Sequence, residues 1–231
     1  MRGIVQDIIR FFYPHTCLGC GKELYNPRHF LCIHCLKSIP LTGYENIRDN
    51  HTANLFAGRL PIEKGCSWLF FEKESITQKL IHQLKYRNNQ ALGEFLGFAM
   101  GSTLAECRWF EGIDVLVPLP LNKRKLNMRG YNQSEVICRG LSDATGLPVE
   151  QVAVMRTVFT ETQTKKSRIQ RWRNVADVFD LLDSSHLEGK HALLVDDVVT
   201  TGATLDACGQ VLLKVKDLKL SLLTLAVASR I

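Results

Sequence analysis

A chain of 231 residues with 45% hydrophobic and 23% charged content has the composition of an ordinary globular protein, which excludes a disordered or fibrous polymer and suits one α/β domain with a small appendage. Its 29 basic and 23 acidic residues leave a formal charge of +6, a surplus that favours phosphate-bearing partners but is shared by many proteins that touch no nucleic acid. No membrane span is expected, because no stretch approaches the roughly 18 apolar residues required; Lys219, Ser221 and Thr224 interrupt even the C-terminal run.

The first expected element is a helix in which Ile4, Val5, Ile8, Ile9 and Phe12 recur at helical spacing. Asp7 and Arg10 break its apolar run and no small-residue cleavage site follows, so it does not read as a secretory leader. Docking on the protein's own core is the plain use of such a face; a membrane-surface or partner-binding helix is the alternative. A reducing cytoplasm is then the expected address.

Next come Cys17-x2-Cys20 and Cys32-x2-Cys35, with eleven residues between the pairs. Four thiolates at two-residue gaps match a tetrahedral Zn2+ site, and Gly19 and Gly21 permit the tight turn around the first pair. A redox dithiol is the alternative, although one Cys-x-x-Cys suffices for that chemistry. A closed four-thiolate site leaves no open coordination position, so zinc here is structural. Cys66, Cys107, Cys138 and Cys208 lie among apolar neighbours and read as reduced core thiols. The head covers residues 1–43, a polar connector runs over Tyr44 to Asn54, and residues 55–231 form the larger unit.

In that unit Cys66 to Phe71 reads as a strand, Ile76 to Leu84 and Leu92 to Ala105 as helices, and Asp114 to Pro118 as a short buried strand. Asn132 to Thr145 is helical by pattern, and Gly146-Leu147-Pro148 stops it. Val152 to Met155 and Ala192 to Val195 read as strands, Thr204 to Val215 as a helix, and Leu220 to Ala228 as a last strand. Short apolar strands alternating with helices predict an α/β fold, a mostly parallel sheet with flanking helices. Ligands on such sheets gather beyond the carboxyl ends of the strands, here after Pro118 and Val195.

The segment after Val195 carries the chemistry. Asp196 and Asp197 stand where the strand ends; Val198, Val199, Thr200, Thr201, Gly202, Ala203 and Thr204 lead into a helix. A helix start offers unpaired N–H groups and a positive dipole end to a phosphate dianion. The threonine hydroxyls add donors, and Gly202 lets the backbone curl close to the anion. Two adjacent carboxylates repel phosphate, but they suit ribose hydroxyls and the water shell of a metal ion. Capping roles for Asp196 and Thr204 account for one acid and one threonine only. The absence of a Walker-type lysine and of G-x-G-x-x-G weighs against other nucleotide-binding readings.

Two basic stretches are candidate phosphate contacts. Lys123, Arg124, Lys125 and Arg129 lie between Pro118 and Asn132, on the sheet edge where the phosphate loop opens. Lys165, Lys166, Arg168, Arg171 and Arg173 sit in Val158 to Asn174, a segment with the look of a lid. Such runs are also ordinary solvated faces or DNA contacts. Lys85 in the run LKY is a further anion contact.

The run LLVDDVVTTGATL resembles the phosphoribosyl diphosphate fingerprint of type I phosphoribosyltransferases. The resemblance implies that Asp196 and Asp197 hold the ribose hydroxyls as catalytic residues and that Val199 to Thr204 cradle the 5′-phosphate. It further implies that Arg124, Arg129, Lys165, Arg168 and Arg171 face the diphosphate, with Mg2+ accompanying it. Over nearly the whole chain, the four-cysteine head, LIHQLKYRNN, VPLPLNKRKLNMRGYNQSE, RTVFTETQTKKSRIQRWRNV and the fingerprint follow in an order that resembles the ComF/GntX family. Members of that family act in natural transformation or in using extracellular DNA as a nutrient. Membership implies phosphoribosyl diphosphate as ligand, single-stranded DNA contact by the head or the basic loops, and proteins of the DNA-uptake machinery as partners. Two classes of function stay open: a phosphoribosyltransferase serving uptake or salvage, and a non-catalytic adaptor that binds phosphoribosyl diphosphate or DNA.

Overall fold

The structure, a computed structural model, describes residues 15–26, 29–156 and 179–228. The helix expected around Ile4 to Phe12, and Lys165, Arg168 and Arg171, lie outside these residues. In the head, α1 (Ile33–Lys37) starts after Cys32 and carries Cys35, and α2 (His51–Asn54) closes the connector. The chain continues through β1 (Gly65–Phe71), α3 (Ile76–Tyr86), α4 (Gln90–Glu106), β2 (Val115–Pro118), α5 (Lys123–Arg129) and α6 (Gln133–Thr145). It ends with β3 (Val154–Arg156), β4 (Phe179–Leu181), β5 (His191–Val199), α7 (Ala203–Leu212) and β6 (Lys219–Ala228).

The parallel sheet has the order β1-β6-β5-β2. Both faces are covered. On β5, Leu193 and Val195 enter one apolar cluster with α3, α4 and α6, while Ala192 and Leu194 enter a second with α7, β3 and β4. The period-two alternation of a strand thus distributes an unbroken apolar run between two cores, each fully buried leucine contributing roughly 1.5–3 kcal/mol. β3 and β4 pair antiparallel, Arg156 opposite Phe179.

The face carrying α4 and α6 depends on two glycines. A Cβ on Gly140 would stand 2.0 Å from the Glu94 carbonyl oxygen, and one on Gly97 would stand 2.2 Å from that of Ile137. The two helix backbones therefore meet with no side chain between them, which fixes the position of the first turn of α6 over β5. The head joins the same core: Cys17, Leu24, Leu31 and Ile39 are buried with Leu80, Leu84 and Leu92, and Phe30 meets Phe95 at 5.5 Å.

Three segments differ from their sequence expectation. Lys123–Arg129, read as a loop, is the helix α5. Asn122 accepts the Arg124 N–H at its start and Gly130 at φ 78° ends it, and the lysines and arginines between are good helix formers. The polar connector holds α2, capped by Asn50, which accepts the Ala53 N–H and donates to the carbonyls of Ile47 and Gly65. Finally, β5 does not stop at Val195. It runs through both aspartates to Val199 because β6 continues to pair with it as far as Val227. Its pairing with β2 ends at Val195, so Asp196 to Val199 pass one strand beyond the sheet on that side.

Candidate functional site at the carboxyl edge

The overhanging end of β5 presents the two carboxylates in different surroundings. Asp196 Oδ1 accepts the Asp197 N–H at 2.8 Å and the Ser134 hydroxyl, from the first turn of α6, at 3.1 Å. Burial, and then the charge of Asp197, push the Asp196 carboxyl up to about 7, against the pull of these hydrogen bonds and of Lys85. Asp197 is buried at 7% exposure, and its Oδ2 pairs with Lys85 Nζ at 3.0 Å. Lys85 comes from the last turn of α3, whose register is held by the Tyr131 hydroxyl donating to the Leu84 carbonyl.

Beyond Val199 the chain turns through Thr200 and Thr201 to Gly202, which caps α7 in the left-handed region at φ 76°. The cap supplies no side-chain acceptor, so the N–H groups of Thr204 and Leu205, next in the first turn of α7, stay open toward a ligand. The Ala203 N–H donates to Thr201 Oγ1 at 3.5 Å. Asp196, Val199 and residues 200–205 enclose a hollow of about 50 Å3, roughly the room of three or four waters and the scale of one phosphate group.

Of the basic residues singled out in the sequence, Lys85 pairs with Asp197 directly, while Arg129 closes α5. Its Nη1 donates to Gln133 Oε1 at 2.6 Å, and its guanidinium lies 5.8 Å above the Tyr86 ring. Its Nε is buried with no partner among the described residues. Lys123, Arg124 and Lys125 are exposed along α5. The overhang and the start of α7 bring Asp196, Asp197 and Val199 to Thr204 together, and Lys85 joins them directly.

Sequence reading missed Ser134, Arg156 and Arg59. Arg156 stands at the end of β3 with its guanidinium 5.2 Å over the Phe179 ring and its Nε buried without a partner among the described residues. Burial lowers its pKa while the nearby Asp196 charge opposes the shift. Its one sequence signal was its place at the head of the RTVF run. A hollow of about 650 Å3 lies beside it, lined by apolar residues such as Leu121, Leu126 and Val154 and by the polar Lys123, Asn132, Glu135 and Gln151.

The second cluster is in the head. The sulfurs of Cys17, Cys20, Cys32 and Cys35 all lie within 4.8 Å of one another, and Cys20 and Cys32 are 3.7 Å apart. A tetrahedral site with Zn–S bonds of about 2.3 Å requires sulfurs about 3.8 Å apart, so the cluster is compatible with zinc. Burial raises the Cys17 thiol, but N–H groups of Cys32, Cys20 and Gly19 outweigh it and bring its pKa down to about 6. Burial and the three neighbouring sulfurs push Cys35 up to about 12. A dication removes that repulsion.

A model of the phosphoribosyl transferase domain family matches residues 142–228, from within α6 to the end of β6. The DNA utilization protein YhgH of Escherichia coli K12 is 36% identical over 138 residues, 58% of this chain and 60% of that protein. Competence protein F of Haemophilus influenzae is 26% identical over 215 residues, 88% of this chain and 93% of that protein. Competence protein ComFC of Bacillus subtilis is 35% identical over 100 residues, 43% and 38% of the two chains. The chain spans 60% of the length of the first of these relatives. Among the described residues no helix is long and apolar enough to cross a membrane.

Proposed function

Since this chain belongs to the ComF family and carries a phosphoribosyl transferase domain, we propose that it binds phosphoribosyl diphosphate at the carboxyl edge of its sheet, in the service of DNA uptake or use. One observation carries the reading. Two adjacent carboxylates with separate partners, Ser134 and Lys85, stand directly before an open helix start. The 5′-phosphate lies in the threonine loop on the N–H groups of α7, and the ribose 2′ and 3′ hydroxyls donate to Asp196 and Asp197.

The carboxylates and their open oxygens suit a magnesium ion held through its water shell. Bound with the diphosphate, magnesium supplies charge neutralisation of the leaving group. The chain's own part in transfer is electrostatic. Asp196 and Asp197 oppose the positive charge that builds on the sugar ring as the bond to diphosphate breaks. Lys85 and Arg129, with Arg156, Lys165, Arg168 and Arg171, hold the departing anion, and the hollow beside Arg156 gives an incoming acceptor room to approach. The same cations hold single-stranded DNA in the adaptor reading, together with the exposed Lys123, Arg124 and Lys125 and the head. The four thiols hold a structural zinc ion, and the site works in the cytoplasm.

Titration calorimetry of phosphoribosyl diphosphate with magnesium tests the binding claim: wild type binds and Asp197→Asn loses at least tenfold in affinity. No binding by wild type overturns it. Diphosphate release across a panel of nucleobases then separates enzyme from adaptor.

A further inference from the structure

The back of the phosphate loop is built by a segment with no assigned role. Phe56 and Leu60, just after α2, are buried in one cluster with Val199 and Leu205. A Cβ on Gly202 would meet the Phe56 ring at 2.8 Å, so the ring fills the space that a side chain at the cap would take. From the next turn, Arg59 Nη2 donates to the Thr201 carbonyl at 3.2 Å and also to the Leu55 carbonyl. Arg59 Nη1 stands 3.9 Å from Asp206 Oδ2, and the guanidinium lies 5.7 Å over the Phe56 ring.

The Thr201 carbonyl and the Gly202 N–H belong to one peptide unit. A cation on the oxygen polarises that unit and strengthens the N–H as a donor on its other side. Asp206 sits at the long limit of an ion pair, so it screens Arg59 without cancelling it. Thr201 and Gly202 are in the loop that receives the sugar phosphate in the function proposed above. On that reading, we infer that Arg59 is a positioning residue for the 5′-phosphate. It clamps the loop from behind and makes it select the phosphate dianion, without touching the ligand. The connector then has a part in ligand choice, and Phe56 sets the distance at which the clamp acts.

The test compares ribose 5-phosphate and inorganic diphosphate binding to the full chain as wild type, Arg59→Met and Arg59→Lys, from pH 5.5 to 8. A phosphate monoester takes its second charge near pH 6. Arg59→Met is expected to weaken ribose 5-phosphate about five- to tenfold at pH 7.5, the scale of one charge-assisted hydrogen bond. The loss shrinks at pH 5.5, where the ligand is a monoanion. Inorganic diphosphate stays within about twofold of wild type, and Arg59→Lys recovers part of the ribose 5-phosphate affinity. Equal affinities and pH profiles for wild type and Arg59→Met overturn the inference. A matching loss of both ligands overturns it as well, since that marks general damage to the fold. Failure of wild type to bind ribose 5-phosphate at any pH defeats the site reading itself.

Discussion

Lys85 Nζ lies 3.0 Å from Asp197 Oδ2, and Lys79, two turns earlier on the same helix, donates to the Gly19 carbonyl between the first two cysteines at 2.8 Å. One helix thus touches the cysteine cluster at one end and the carboxylate pair at the other. Lys85→Met leaves the buried Asp197 carboxylate beside Asp196 without its ion-pair partner. The expected loss is roughly 3 kcal/mol of stability, the low end for breaking a buried pair, read by urea denaturation. An unchanged midpoint counts against the pair's structural weight.

Asp196 makes stability depend on pH. Its folded pKa of about 7 exceeds the unfolded value of about 3.9, so the native state holds the proton more tightly. Its contribution is complete below about pH 4, is lost as pH rises to about 7, and is constant above that, at no more than about 1.4 kcal/mol per pH unit. Asp196→Asn removes this slope. The variant is expected to gain on wild type between pH 5 and pH 8 in denaturation experiments without ligand, while losing affinity for sugar phosphate. A constant difference between the two proteins across that range contradicts the assignment.

Removal of metal reaches the main core. Cys17, Leu24 and Leu31 share a cluster with Leu80 and Leu84, so a strong chelator or Cys20→Ser lowers the melting temperature of the larger unit, by roughly 4 °C for each kcal/mol lost. Elemental analysis of the untreated protein gives about one zinc per chain. A metal-free protein with an unchanged melt runs against the zinc reading.

Gly140→Ala sets a methyl 2.0 Å from the Glu94 carbonyl and parts α4 from α6. The expected cost is about 3 kcal/mol, the upper range for overpacking a core, with Ser134 drawn away from Asp196. Thermal melting measures the first effect, and sugar-phosphate affinity the second.

The sheet and its helices were legible because their patterns are local. Ala192 to Val195 and Leu225 to Ala228 are apolar runs of strand length, and Gly146 to Pro148 mark a helix end in three letters. The loop from Asp196 to Thr204 was legible as a candidate site for the same reason, nine consecutive residues carrying acids, hydroxyls and a glycine. What escaped is long-range. Ser134 meets Asp196 across 62 positions and Arg59 meets Thr201 across 142, and neither residue has a distinctive neighbourhood in the chain. The extension of β5 through two aspartates was hidden by their poor strand propensity, which pairing with β6 overrides. The helix α5 was hidden by its charges, which read equally well as a solvated loop.

The strand β5 outruns its neighbour β2 by four residues, from Asp196 to Val199. The molecule therefore carries a missing corner in its sheet, and a sugar phosphate bound as proposed takes the berth of an absent strand end. Because the corner is lined by backbone and by side chains anchored elsewhere, a ligand seated there stitches β5, α6 and α7 into one unit. Occupancy should then be visible far from the ligand, as slower amide hydrogen exchange in all three elements.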